Sequence, residues 1–334
     1  MRIGILTSGG DCPGINATIR GVMKTAICHY GMDVIGIRDG FRGLLTGEVV
    51  PLDGSVTGLL TEGGTILGTS REKPFKCKRP GDEEKPAKML DTVNRLGLDC
   101  VVCIGGNGTM KTARKMQQIG IPVIGIPKTI DNDIWGTDLT FGFDTAVSIA
   151  TEAVDRLHST ASSHRRAMVI EVMGHKAGWI ALHAGMAGGA DVILIPELGY
   201  DLRNICNAIH ERQIQGKAFT IVVVAEGLST DGIHRPAEYL SLQIEKETGV
   251  ESRYTVLGYV QRGGSPTAFD RNLSTLIGGS AAQLIARKEF GCMVALQQGK
   301  LVPLPLEEVA GKLKLVTPDN PLLMQGRNMG ICFG

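Results

Sequence analysis

The chain has 334 residues, enough for about two domains and a sizeable core. Its 35 Lys and Arg against 34 Asp and Glu give a formal net charge of +1, which leaves no electrostatic case for nucleic acid or an anionic membrane as partner. Aromatic residues make up only 4% while glycines number 45, a composition that suits the tight turns and close backbone approaches of a nucleotide or phosphate enzyme better than a stacking-based binder.

Arg2 to Thr7 reads as a first strand, without the charged start, long apolar run and cleavage site of a signal peptide. It enters Ser8-Gly-Gly-Asp-Cys-Pro-Gly14, then a helix with Ile15, Ile19, Val22, Met23 and Ile27 on one face that ends near Gly31. Strand, glycine turn and helix is the layout that turns backbone N–H groups onto an anion. The spacing is neither the dinucleotide fingerprint nor a Walker A loop, and a purely structural tight turn fits the same residues. Asp33 to Ile37 is a second strand. Gly63 to Arg71 is a loop with an arginine at its end, and the charged stretch from Glu72 to Lys88 reads as solvated surface. Leu98 to Ile104 is a strand, and Gly105-Gly-Asn-Gly-Thr109 opens a helix through Lys115, repeating the strand, glycine turn and helix.

Ile121 to Ile126 is short, apolar and β-branched, as in a buried strand. It leads into Pro127-Lys-Thr-Ile-Asp-Asn-Asp133, a polar group at the carboxyl end of a strand, where open α/β sheets place ligands. In an extended loop Asp131 and Asp133 would face one cleft. With Lys128 and Thr129 beside them they equip the loop for phosphoryl transfer, although Asp-Asn-Asp is also ordinary turn composition. Asp144 is expected to cap a helix with Ala146, Ile149, Val154 and Leu157 at core spacing. Ala167 to Val172 is a strand leading to Met173-Gly-His-Lys-Ala-Gly178. Asp191 to Pro196, Phe219 to Ala225 and Tyr254 to Val260 are further strands, the second delivering Glu226, and Asp201 begins a helix to about Gln213. His183, Asp191 and several glycines break the least polar window, Trp179 to Pro196, so it should not span a bilayer. Cys100-x-x-Cys103 lies in a strand pattern that points the two thiols to opposite faces, which favours structural thiols over a metal pair. Alternating strands and helices imply parallel sheets in three-layer α/β domains.

Pro127-Lys-Thr-Ile-Asp-Asn-Asp133 and Leu257-Gly-Tyr-Val-Gln-Arg-Gly-Gly264, together with Leu6-Thr-Ser-Gly-Gly-Asp11, resemble the 6-phosphofructokinase superfamily in its bacterial short-chain form over nearly the whole chain. The resemblance implies two α/β domains with mostly parallel sheets: 1–142 plus about 257–305 for the phosphoryl donor, and 143–256 plus about 306–334 for fructose 6-phosphate. It also implies transfer of phosphate to O1 of that sugar with Mg2+. From the strand-like start and the interrupted apolar window, a soluble cytoplasmic protein is expected. Matched by position, Asp131 is the base, and Thr129, Ile130 and Asp133 share its site, Asp133 on the metal side. Gly9, Arg71, Gly106, Asn107, Gly108 and Thr109 match the donor pocket. Arg166, Met173, Gly174, His175, Glu226, Arg253, Tyr259 and Arg262 match sugar-phosphate positions; arginines suit a phosphate through bidentate pairing. In the family Arg166 and Arg253 reach in from a neighbouring subunit, so a homo-oligomer, a tetramer, is expected.

Departures from the family pattern carry expectations of their own. Asn107 stands where the family usually has a metal-contacting Asp; its amide can coordinate but adds no charge, so weaker metal binding is expected. His175 stands where an arginine is common, and Tyr259 replaces a frequent histidine. Gly108 resembles the ATP users, whereas Lys128 resembles pyrophosphate users and a mixed branch. Steric exclusion is the harder constraint, so ATP is the expected donor and pyrophosphate the alternative. A non-catalytic sugar-phosphate-binding paralogue, motivated by Asn107 and His175, is the second alternative. Arg20 and Lys24 resemble effector-site cations, but Gly54 and His158 replace arginines, so little control by phosphoenolpyruvate or ADP is expected.

Overall fold

The structure, a computed structural model, describes residues 1–53, 57–77, 80–230, 232 and 235–334. In chain order these form β1 (Arg2–Ser8), α1 (Ile15–Tyr30), β2 (Asp33–Ile37), α2 (Phe41–Thr46), β3 (Val49–Pro51), α3 (Lys85–Arg95), β4 (Cys100–Gly105), α4 (Asn107–Gln118), β5 (Val123–Pro127), α5 (Phe143–His164), β6 (Ala167–Val172), α6 (Trp179–Ala187), β7 (Val192–Leu194), α7 (Leu202–Ile214), β8 (Thr220–Ala225), α8 (Pro236–Thr248), β9 (Ser252–Val256), α9 (Ala268–Ala286), β10 (Cys292–Gln297), β11 (Lys300–Pro305), α10 (Leu306–Val309) and α11 (Pro321–Asn328). The chain divides into two units. Unit 1 is Met1–Thr129, Ile134–Asp144 and Arg262–Leu313; unit 2 is Ile130–Asp133, Thr145–Gln261 and Lys314–Gly334.

Unit 1 holds a seven-stranded sheet in the order β11-β10-β5-β4-β1-β2-β3. Its five central strands are parallel, and β3 and β11 pair antiparallel at the edges. Every residue of β4 and β5 is buried, as continuous apolar strands require when both sheet faces are covered. Leu6, Val101, Cys103 and Val123 pack with Met89, Val93, Met110 and Met116 of α3 and α4 on one face. On the other, α1 and α9 approach so closely that a Cβ on Gly278 would sit 2.5 Å from the Thr18 carbonyl oxygen. The two cysteines of the Cys-x-x-Cys run are both buried, and only Cys103 belongs to the core shared with α3 and α4. Burial pushes its thiol up to about 12 and that of Cys100 well above the ordinary range.

Unit 2 holds an all-parallel sheet in the order β7-β8-β6-β9. Val169, Leu194, Val222 and Val224 pack on Ile205 and Ile209 of α7 and Leu240 and Ile244 of α8. The alternate residues Ile193 and Val223 meet α6, whose Gly185 has no room for a Cβ against Ile193. Each sheet is therefore the middle of three layers. Among the described residues no helix is long and apolar enough to cross a membrane.

Three local expectations are corrected. The last strand of unit 2 ends at Val256, four residues early, because Gly258 turns left-handed (φ 51°) into a 3-10 turn over Gly258–Arg262. Asp144 lies inside the first turn of α5 because Gly142 (φ 90°) lets the helix start at Phe143; its carboxylate accepts a 2.6 Å hydrogen bond from the Thr267 hydroxyl. The charged stretch is not all solvated surface: Lys85 opens α3 and bridges Glu72 and the buried Asp82, each at 2.7 Å.

The α1–α9 contact yields a paired test of the packing. Gly278→Ala forces its methyl against backbone, an overpacking cost of about 1–3 kcal/mol, and should lower the thermal midpoint by several degrees. Gly279→Ala meets only the Thr25 hydroxyl at 3.3 Å and should leave the midpoint unchanged or raise it.

Candidate active site

In unit 1 the strand order reverses at β1, with β2 on one side and β4 on the other, and at such a switch point the carboxyl ends of adjacent strands leave a crevice. Both glycine turns sit there. Gly9 (φ 85°) follows β1; its N–H donates to the Ser70 carbonyl at 3.3 Å and its carbonyl accepts from the Thr69 hydroxyl at 2.7 Å. Gly106 follows β4 as the cap residue of α4, so Asn107, Gly108 and Thr109 form that helix's first turn, and the Thr109 N–H donates to the Gly106 carbonyl at 2.9 Å. Thr109 itself is buried against Gly105. A Cβ on Gly108 would meet no protein atom within 4 Å, so the space beside it is open.

Lys128 leaves β5 next to both turns. Its N–H donates to the Gly105 carbonyl at 3.0 Å, and its ammonium, on a side chain only 3% exposed, donates to the Gly10 carbonyl. Arg262 is drawn to the same turn: its guanidinium donates to the Asp11 carbonyl at 3.3 Å and lies over Gly10, where a Cβ would be 3.0 Å from Nη1. The buried cation and Arg262 thus brace the β1 turn from two sides. Arg71, by contrast, is exposed.

The boundary between the units falls within the loop after β5, between Thr129 and Ile130. Thr129 is buried in unit 1, its carbonyl accepting from the Thr140 hydroxyl at 2.7 Å. Ile130, Asp131, Asn132 and Asp133 are buried in unit 2. The loop is not extended, because Asn132 adopts a left-handed conformation (φ 51°). Simple strand alternation therefore does not describe how Asp131 and Asp133 are aimed.

In unit 2 the carboxyl ends of β6 and β8 meet. Oε1 of Glu226 accepts the N–H of Gly174 at 3.2 Å and of His175 at 2.8 Å. Both residues are left-handed or strained (φ 148° and 54°), and Gly227 approaches so closely that a Cβ would lie 2.0 Å from the His175 carbonyl oxygen. The buried Gln261 joins this cluster to the turn after β9, accepting from the Met173 N–H at 3.3 Å and donating to the Gly258 carbonyl at 3.2 Å. An open cleft of about 610 Å³ lies alongside, lined by Glu171, Glu226, Gly227 and Arg235 among others. Glu171 is mostly buried there; desolvation and the nearby Glu226 charge raise its pKa, while its carboxylate accepts the Ala237 N–H at the start of α8. Tyr259 is exposed.

Arg166 and Arg253 lie elsewhere. They stand at the amino ends of β6 and β9, whereas Met173 and Glu226 stand at carboxyl ends, about 20 Å away along a six-residue strand. Both arginines pair with Glu251, at 2.7 and 2.6 Å, and the Arg166 hydrogen bond holds that carboxyl below its usual range. Of the effector-like positions, Arg20 and Lys24 are one turn apart on α1, the His158 ring sits 2.6 Å from the Gly188 carbonyl oxygen, and Gly54 lies outside the described residues. Gln261 was not singled out from the sequence, although the Gln-Arg-Gly-Gly run contains it. Lys314, whose ammonium donates to the Asn132 side-chain oxygen at 2.8 Å, belongs to no motif.

A sequence model of the phosphofructokinase family matches residues 2–285. An ATP-dependent 6-phosphofructokinase 3 of Bacteroides thetaiotaomicron is 67% identical over the full length of both chains. A pyrophosphate–fructose 6-phosphate 1-phosphotransferase of Streptomyces coelicolor is 48% identical, over 95% of this chain and 97% of its own. The solved phosphofructokinase of Saccharomyces cerevisiae superposes with a TM-score of 0.83 at 33% identity; the match covers 92% of this chain and 45% of that one.

The Glu171 environment sets a pH dependence. A carboxyl whose folded pKa lies above its unfolded value near 4.5 costs stability fully above the folded pKa and nothing below the unfolded one. Glu171→Gln, which keeps an oxygen for the Ala237 N–H, should therefore raise the thermal midpoint at pH 7. The gain over the unaltered chain should shrink as the pH falls toward 5.

Proposed function

The chain belongs to the phosphofructokinase family, and we propose that it transfers the γ-phosphoryl group of ATP to O1 of fructose 6-phosphate as a glycolytic kinase of the cytoplasm. One observation carries the reading: the two glycine turns lie together at the switch point of the unit 1 sheet, with a buried lysine braced between them. The start of α4, as a helix N-terminus beside the β1 turn, suits the donor phosphates. Phosphoryl transfer depends mainly on positioning and charge stabilisation, and buried, tethered side chains suit that task. Asp131 is assigned to accept the proton of the sugar hydroxyl, and Thr129 and Ile130 to line its site. Glu226, oriented by two backbone N–H groups, is assigned to sugar hydroxyls, with Met173, Gly174, His175, Tyr259 and Arg262 around the sugar phosphate.

Among the described residues no cluster of three His, Cys, Asp or Glu side chains could hold a resident metal. A Mg2+ carried by donor phosphates takes only one or two protein ligands, so the sparse donor set fits such an ion. Asn107 and Asp133 are assigned to it; when bound, it neutralises charge on the donor phosphates. Arg166 and Arg253 stand at the wrong end of their strands for this chain's own Glu226, which supports their service to a neighbouring subunit in a homo-oligomer, a tetramer by family precedent. Gly9, Arg71 and Gly106–Thr109 are assigned to the donor, and the open space at Gly108 favours a nucleotide. Lys128, which resembles the residue of pyrophosphate users, motivates pyrophosphate as the second reading, since a lysine charge suits a short inorganic donor.

Coupled assays of the purified chain with each donor test the reading. ATP should support robust turnover, and Asp131→Ser should reduce kcat by several orders of magnitude while fructose 6-phosphate binding stays within a few fold. Turnover with pyrophosphate and none with ATP would reverse the donor assignment, and an active Asp131→Ser would remove the base.

A further inference from the structure

We propose that Lys314 is a positioning residue for Asp131 and Asp133, fixing the peptide between them to the first turn of α6. The proposal rests on the phosphoryl-transfer reading of that loop. Asn132 lies between the two carboxylates, 2% exposed and left-handed (φ 51°). Asn reaches this region more readily than most residues, yet the conformation is still uphill and needs surroundings that hold it. Lys314 supplies them. Its ammonium donates to Oδ1 of Asn132 at 2.8 Å, and its backbone N–H donates to the Asp133 carbonyl at 2.9 Å.

Lys314 is itself anchored. Its carbonyl accepts the indole N–H of Trp179 at 2.9 Å, and its ammonium lies 5.4 Å from the Trp179 ring centroid. Trp179 is the first residue of α6, a rigid element whose buried face packs on the sheet. Two residues on, the Val316 N–H donates to Glu197 at 3.0 Å, and the same carboxylate accepts the N–H of Gly178, the residue before α6, at 2.9 and 3.1 Å. One residue thus engages the loop through its side chain and N–H and the helix through its carbonyl. A rotation at Asn132 would swing the peptide planes on both sides of it, and so redirect both carboxylates together. Misplacement of about 1 Å at a reacting group costs on the order of 100-fold in rate. The ammonium is the part of this clamp that a substitution can remove while leaving the backbone ties.

Lys314→Met, which keeps the stem but not the charge, should lower kcat by about 10- to 100-fold at saturating substrates. KM for fructose 6-phosphate should stay within about 2-fold and the thermal midpoint within a few degrees, and Lys314→Arg should recover much of the rate. In a Trp135→Phe background, where Trp179 is the remaining tryptophan, Lys314→Met should shift the Trp179 emission. Lys312→Met, which removes the cation over the Trp135 ring, neutralises a charge on the same segment without touching the loop and should keep kcat. If Lys314→Met does not fold, Lys314→Gln carries the same comparison. An unaltered kcat overturns the proposal, as does a loss of rate that tracks the midpoint and is not recovered by arginine. A parent chain that turns over with neither ATP nor pyrophosphate would instead sink the kinase reading, and the proposal with it.

Discussion

The constraint on which the rest of this molecule depends is strand direction. All central strands of unit 1 and every strand of unit 2 run parallel, so each sheet has one end where turns open into helices and another that only receives chain. The β1 and β4 turns, Lys128, Met173 and Glu226 all follow from that polarity. Covering both faces of each sheet with helices makes the strands uniformly apolar. The polar chemistry is thereby displaced into the loops, where buried groups such as Lys128, Asp131 and Asp133 need specific partners.

Much of this was legible in the sequence because its signals are local. β-Branched runs of five to seven residues and the glycine turns behind them mark the strands and their active ends. Misreadings came where one glycine decides the backbone. Gly258 ends β9 early although Tyr259 and Val260 continue an apolar pattern, and Gly142 starts α5 before the capping aspartate. The left-handed Asn132 was hidden for a different reason. What holds it is a lysine 182 residues away in a segment with no motif, and long-range pairings leave no periodic trace.

The two residues proposed to set donor choice, Gly108 and Lys128, have different structural settings. Gly108 borders open space, where an added Cβ would meet no protein atom within 4 Å. Lys128 already has a structural task, since its ammonium satisfies the Gly10 carbonyl and steadies the β1 turn. A buried lysine with a backbone partner is less free to act as a donor-specific charge than its place in the loop implies, which weighs toward the nucleotide.

The two arginines at the amino ends of β6 and β9 make the sharpest demand on the account, because strand length separates them from the Glu226 cluster of their own chain. The most direct test is subunit complementation. Asp131→Ser and Arg253→Ala chains, each inactive alone, would be co-expressed with different tags and the mixed oligomer purified. The account predicts that mixed oligomers regain a substantial fraction of the parental activity, since some sites then combine an intact Asp131 with a neighbour's intact Arg253. Hybrids as inactive as either parent would show that each chain completes its own site, and would contradict it.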